Sequence, residues 1–270
     1  MRPAHQPQSV VLAHRDFGGS GEPAVLILHG MLGSSRNWQT AGRDLAGHRR
    51  VFALDLRNHG LSPHSADMSY ESMAADVLAW MDTHGIRRAE VIGHSMGGKV
   101  AMLLACRHPE RVGHLVVVDI APKNYQWKAH RDEFQAMNEL GLGDLGSRAE
   151  AEARMEARVP SWAMRKFLVT NLERAQGGGW KWQVNLPALT SALPELERNP
   201  LVAADRFLGE TAFILGGKSN YVGPEDRPVI LNHFPRAEIH VIEESGHNPH
   251  IEARAALVRL AAAAIGPAGT

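Results

Sequence analysis

Gly93-His94-Ser95-Met96-Gly97 fits the pattern G-x-S-x-G, and a short apolar run precedes it while a helical pattern follows. In that context the pattern describes a serine on a sharp strand-to-helix turn, its hydroxyl lifted clear of the sheet. Gly93 and Gly97 omit the Cβ atoms that would obstruct such a turn, and His94 supports it from within. A serine hydroxyl is a weak nucleophile near neutral pH and needs a base beside it. Among 15 histidines, His247 in Ser245-Gly246-His247-Asn248-Pro249 stands out, because it follows the last apolar run and its glycine lets the loop turn. His250 is the local rival, but it falls where the final helix begins and reads as a packing residue.

The imidazole needs a carboxylate to fix its tautomer. The loop where one is usual, Gly216 to Val222, contains none, and Asn220 stands about where an aspartate is expected. Glu225 and Asp226 come later, at a helix start that suits acids on its own account. Asp119 is the stronger candidate, since it ends the apolar run His114 to Val118 and an acid there must be paired. The order Ser95, Asp119, His247 is the order this chemistry takes on a strand-turn-helix scaffold. Two backbone amides must then face the oxyanion of a tetrahedral intermediate. Met96 N–H follows the serine, and Met31 N–H lies in His29-Gly30-Met31-Leu32-Gly33-Ser34 after the first long apolar run. Asp55 and Arg57, in the loop Asp55 to Pro63, are expected to brace that oxyanion loop, with His59 a weaker candidate base.

These residues must be held by strands. Ala24–Leu28, Val51–Leu56, Ala89–Ile92, His114–Val118, Thr211–Leu215 and Glu238–Ile242 read as buried strands, and each candidate residue follows one. Tyr70–His84, Met96–Arg107 and Glu252–Ala264 read as helices between them, so the class is α/β with a mostly parallel sheet. Ligands bind at the carboxyl ends of such strands. The stretch 121–210 has helical patterns and no convincing strand, and it holds four of the six tryptophans. The domain reading is a core of 1–120 and 211–270 with a helical cap at 121–210, in which Gly177-Gly178-Gly179 marks a flexible joint. Trp127 and Trp162 are candidates for the wall of an apolar substrate pocket, or else plain cap core.

Composition narrows the partners. Lys+Arg 29 balances Asp+Glu 29, so no basic face for nucleic acid is signalled. The single cysteine, Cys106, sits in an apolar helical pattern as a small core residue. The segment Met1 to Val10 lacks an apolar leader core, and no run approaches a membrane span, so a cytoplasmic protein without membrane insertion is expected. Neither a metal-ligand spacing nor a glycine-rich phosphate cradle is present, which points to chemistry without metal or cofactor. Nothing in the sequence sets an oligomeric state.

Taken together, His29–Ser34, Asp55–Pro63, Gly93–Lys99, Val118–Pro122, Gly216–Val222 and Gly246–His250 resemble the YbfF-type bacterial esterases, a branch of the α/β-hydrolase family. The resemblance runs from about Ala24 to Glu252. It implies an eight-stranded, mostly parallel sheet with a helical cap inserted after the sixth strand, and hydrolysis of a small-molecule acyl ester or thioester. It also implies an acid placed after the strand that follows the nucleophile, which is where Asp119 stands. Asn248 and Pro249 depart from the aromatic and aliphatic residues of many relatives. The same residues would serve an acyltransferase or a cofactor-free perhydrolase, and a non-enzymatic ligand receptor of this fold is the reading from another class.

Overall fold

Every residue of Ala24-Val25-Leu26-Ile27-Leu28 is buried, which is what a continuous apolar run becomes when both faces of a parallel sheet are covered. Alternate side chains serve opposite faces: Ala24, Leu26 and Leu28 join one apolar cluster, Val25 and Ile27 the other. The computed structural model describes residues 9–47 and 49–266. The N-terminal stretch read for a leader therefore lies almost wholly outside them, apart from its last residues.

Nine strands are described: β1 (His14–Asp16), β2 (Ala24–Leu28), β3 (Val51–Leu54), β4 (Ala89–His94), β5 (Val112–Val118), β6 (Leu172–Arg174), β7 (Trp180–Trp182), β8 (Thr211–Gly216) and β9 (Ala237–Ile242). The helices are α1 (Gln39–Leu45), α2 (Tyr70–Thr83), α3 (Met96–Arg107), α4 (Lys128–Glu139), α5 (Arg148–Met155), α6 (Trp162–Leu168), α7 (Leu186–Ser191), α8 (Leu193–Glu197), α9 (Arg227–His233), α10 (Pro249–Glu252) and α11 (Arg254–Ala264). Seven strands form one sheet in the order β1-β3-β2-β4-β5-β8-β9, parallel except for β1 against β3. This is one strand fewer than the resemblance implies, and the insertion follows β5 in the described count. β1 escapes sequence reading because it has only three residues and no alternation of apolar side chains. Helices α2 and α3 cover one face through Met73, Val77, Val100 and Leu104, while α1 and α11 cover the other through Ala41, Leu45, Leu257 and Ala261.

The segment 121–210 carries helices α4 to α8, and β6 and β7 form an antiparallel hairpin within it. Gly177, Gly178 and Gly179, read as a flexible joint, form the hairpin's turn, with φ of 92°, 99° and 77°. The pair went unread because three-residue strands carry too short a pattern. The segment's Phe134, Met137, Leu168, Leu189 and Leu196 are continuous with the first core cluster. Lys99, fully buried on α3, donates to the carbonyls of Leu196, Glu197 and Arg198 at 3.1, 3.1 and 2.7 Å and so ties the end of α8 to the core. No helix among the described residues is long and apolar enough to cross a membrane.

Candidate active site

The chain leaves β2 toward β3 on one side and returns to β4 on the other, so the loops after β2 and β4 diverge and leave a crevice between them. β4 ends at His94, and Ser95 turns the chain into α3 with φ 51° and ψ −119°, a conformation L-residues rarely adopt. The turn must sit hard against its neighbour. A Cβ on Gly97 would stand 2.4 Å from the Leu28 carbonyl oxygen, and one on Gly30 would stand 3.2 Å from the Ser95 Cβ.

Ser95 Oγ lies 3.1 Å from His247 Nε2, and His247 Nδ1 lies 2.7 Å from Asp119 Oδ2. Of the acids weighed from sequence, it is Asp119 that reaches the imidazole. Asp226 instead pairs with Lys123 at 2.6 Å and accepts from Gly223 N–H. Asp119 is fully buried, and its other bonds come from Gly216 N–H to Oδ1 at 2.9 Å and from the Ser219 hydroxyl to Oδ2 at 2.5 Å. It too has a positive φ, 51°. An imidazole so placed can take a proton from the hydroxyl while the buried carboxylate favours the imidazolium that results. His94 does support this turn region, from a particular direction: its Nε2 donates to the His247 carbonyl at 2.7 Å and pins the loop that carries the imidazole. Glu252 receives Gly246 N–H on the same loop.

The loop after β2 is braced from below. His29 Nδ1 donates to Gly30 O at 2.8 Å, and its Nε2 accepts Leu56 N–H at 3.0 Å. His59, considered above as a base, instead accepts Leu32 N–H on Nε2 at 3.2 Å and donates from Nδ1 to Arg57 O. Asp55 accepts Ser35 N–H at 2.6 Å and Leu61 N–H at 2.9 Å, so it braces the loop as expected. The Arg57 guanidinium pairs with Asp76 of α2 at 2.6 Å and donates to Ser72 O, while its carbonyl accepts from the His59 that holds Leu32. From above, Asn171 Nδ2 donates to Leu32 O at 2.9 Å, so the strained Leu32, φ 59°, is held on both sides. The amides of Met31 and Met96, at the two strand ends, have no acceptor among the described residues.

Burial holds the supporting imidazoles neutral. It pushes His59 and His250 down to about 3, helped by His29 and His247 respectively, and it pushes His29 and His94 down as well. His250 stacks on Trp38 at 4.5 Å, which fits the packing role read for it. Burial also pushes the Cys106 thiol up to about 12, as suits a core residue. No group of His, Cys, Asp or Glu able to hold a metal ion occurs among the described residues.

Ser95 and His247 open into a cavity of about 310 Å³, whose far wall includes Ala163, Met164 and Phe167 of α6. Neither tryptophan proposed for that wall lines it. Trp162, beside Ala163, turns outward and is 63% exposed, with Lys166 over its ring. Trp127 is buried against Tyr125, His130 and Lys99. Sequence marked the right helix of the segment but could not say which side of it faces in. Asn171, Ser219 and Tyr221 carried no signal of their own, since a single side-chain bond leaves no periodic pattern; the acid-free loop after β8 was the one hint toward Ser219.

Comparison with known proteins places this geometry in context. The model of the alpha/beta hydrolase fold matches residues 23–254. A mouse (Mus musculus) protein named sn-1-specific diacylglycerol lipase ABHD11 is 37% identical over 240 residues, covering 86% of this chain and 78% of its own. Esterase YbfF of Escherichia coli (strain K12) is 35% identical over 238 residues, covering 87% of this chain and 90% of its own. The solved structure of a marine microorganism esterase superposes with a TM-score of 0.90 at 33% identity, over 93% of this chain and 98% of that one.

Proposed function

This chain belongs to the α/β-hydrolase fold family, on its esterase side, and from that premise we propose that it hydrolyses small carboxylic esters and thioesters through an acyl-enzyme on Ser95. The observation that carries the reading is His247, within hydrogen-bond reach of both Ser95 and Asp119. His247 takes the Ser95 proton as the hydroxyl attacks the substrate carbonyl. The Met31 and Met96 amides receive the negative charge on the carbonyl oxygen. His247 then gives its proton to the departing alkoxide or thiolate. Water enters, loses a proton to His247 and attacks the acyl-enzyme, and Ser95 leaves with that proton. Asp119 orients the ring throughout, and Ser219 and Gly216 hold Asp119. We read 121–210 as a helical cap that roofs the acyl pocket through α6.

The test is hydrolysis of a p-nitrophenyl ester series from acetate to dodecanoate. Ser95→Ala is expected to lose about 10⁵–10⁶ in kcat and Asp119→Asn about 10⁴. Asp226→Asn, whose carboxylate serves Lys123 and a turn amide, is expected to stay within a few-fold of wild type. A wild type inert on every ester and thioester sinks the reading, and full activity in Asp119→Asn sinks the assignment of the acid.

A further inference from the structure

A second carboxylate–imidazole–hydroxyl array stands behind the first. Glu133 Oε2 on α4 lies 2.6 Å from His130 Nδ1, and His130 Nε2 lies 2.8 Å from the Tyr221 hydroxyl. With Glu133 accepting from Nδ1–H, Nε2 is the acceptor and the Tyr221 hydroxyl the donor. The Tyr221 ring lies flat on His247, with centroids 3.6 Å apart and planes 13° from parallel. Its backbone is held too. The Tyr125 hydroxyl donates to its carbonyl at 3.0 Å, and its amide donates to the same Ser219 hydroxyl that serves Asp119. Tyr221 is absent from the cavity wall that His130 and Glu133 line, so its ring is turned to the imidazole and not to the space a substrate fills.

We infer that Tyr221, locked by the His130–Glu133 pair of α4, is a positioning residue for His247: it fixes the plane of the imidazole between Asp119 and Ser95 and presents an aromatic face to the imidazolium formed in each half-reaction. This rests on the reading of His247 as general base. An aromatic face attracts a cation within about 6 Å, and a ring packed flat removes rotation about the side-chain bonds that Asp119 alone leaves free. The hydroxyl bond to His130 sets the tilt of the Tyr221 ring, so the seating of α4 reaches the base through one side chain. The other titratable groups around His247 are Asp119 after β5, His94 at the end of β4 and His250 on α10. Burial keeps both of those histidines neutral, and Glu252 accepts the Gly246 and Asn248 amides on either side of His247.

The experiment follows His247 directly, by its imidazole proton resonance (assigned with His247→Gln), alongside kcat and KM for p-nitrophenyl butyrate across the acid limb. Wild type, Tyr221→Phe, Tyr221→Leu and Glu133→Gln are compared well below their melting temperatures. In wild type the resonance is expected upfield, under the tyrosine ring. Tyr221→Leu is expected to lose that shift and to lower kcat about tenfold with KM nearly unchanged. Tyr221→Phe keeps the ring and is expected to keep the upfield shift while losing about threefold in kcat, and Glu133→Gln is expected to match it. Should Tyr221→Leu not fold, the threefold loss in kcat expected of the phenylalanine and glutamine variants carries the test. Wild-type kcat in all three, or a change confined to KM with the resonance of His247 unmoved, overturns the inference. If wild type cleaves no ester, the functional reading fails while the resonance still decides: an upfield shift lost in Tyr221→Leu upholds the stack, and no shift in wild type removes it.

Discussion

Asp119 receives three hydrogen bonds on two oxygens, from His247, Ser219 and Gly216, so removing one donor weakens it without stranding it. Ser219→Ala is expected to lower kcat about tenfold, far less than Asp119→Asn, as steady-state kinetics will show. The buried histidines give a second residue-scale outcome. His59 and His250 are held near 3 in the fold and return to an ordinary value on unfolding. The unfolded chain therefore binds more protons between about pH 6.5 and pH 3, and the stability present above 6.5 is lost as the pH falls through that window. Melting temperature is expected to drop by roughly 5–10 °C from pH 7 to pH 5, and less in His59→Gln. A flat profile would mean that these imidazoles are protonated in the fold. At this scale Ser95 and His247 were legible because each sits in a glycine-bearing turn after an apolar run. Asp119 was legible because its rivals are poorly placed. His59 was seen only as a weaker candidate base, since a sequence shows an imidazole in a loop and not which amide it meets.

The elements show why spacing served the core better than the insertion. β2, β4, β5 and β8 were read nearly to their ends because burial on both faces leaves a short, largely apolar run, broken by Glu90 and His94 in β4 and His114 in β5. α6 is short and half-exposed, and its inward face carries Ala163, Met164 and Phe167 while its tryptophan faces solvent. Neither tryptophan singled out from the sequence therefore lines the cavity, whose α6 wall is Ala163, Met164 and Phe167. Phe167→Ala is expected to shift the best substrate toward longer acyl chains by lengthening the cavity, with kcat/KM across the ester series as the measure. An unchanged chain-length profile would place the acyl group elsewhere. At the elbow, Gly97→Ala forces a methyl into the Leu28 carbonyl. It is expected to destabilise the protein by about 1–3 kcal/mol, read by denaturant unfolding.

Across the whole molecule, one core cluster runs from the sheet into the segment 121–210 without a break. Lys99 crosses the same boundary four residues beyond Ser95 and sits within 5.5 Å of the ring centres of Tyr70, Tyr125 and Trp127. Lys99→Met takes the ammonium from the Arg198 carbonyl, while Leu196 O keeps the Tyr70 hydroxyl and Glu197 O keeps the Tyr125 N–H, and is expected to cost about 1–3 kcal/mol. Limited proteolysis should then cut within 121–210 sooner than in wild type, and equal protection would show that the apolar contacts alone hold the segment down. Ser95 and Asp119 both adopt a backbone conformation that a free chain abandons, and each is kept there by a neighbouring strand, through Ser95 N–H to Val118 O and Asp119 N–H to Ile214 O. On the proposed reading, catalytic competence is thus a property of three strand ends in register and not of any one loop. On slow warming, turnover should fade while helix content by circular dichroism is still intact, so that the enzyme acts as a gauge of its own sheet edge.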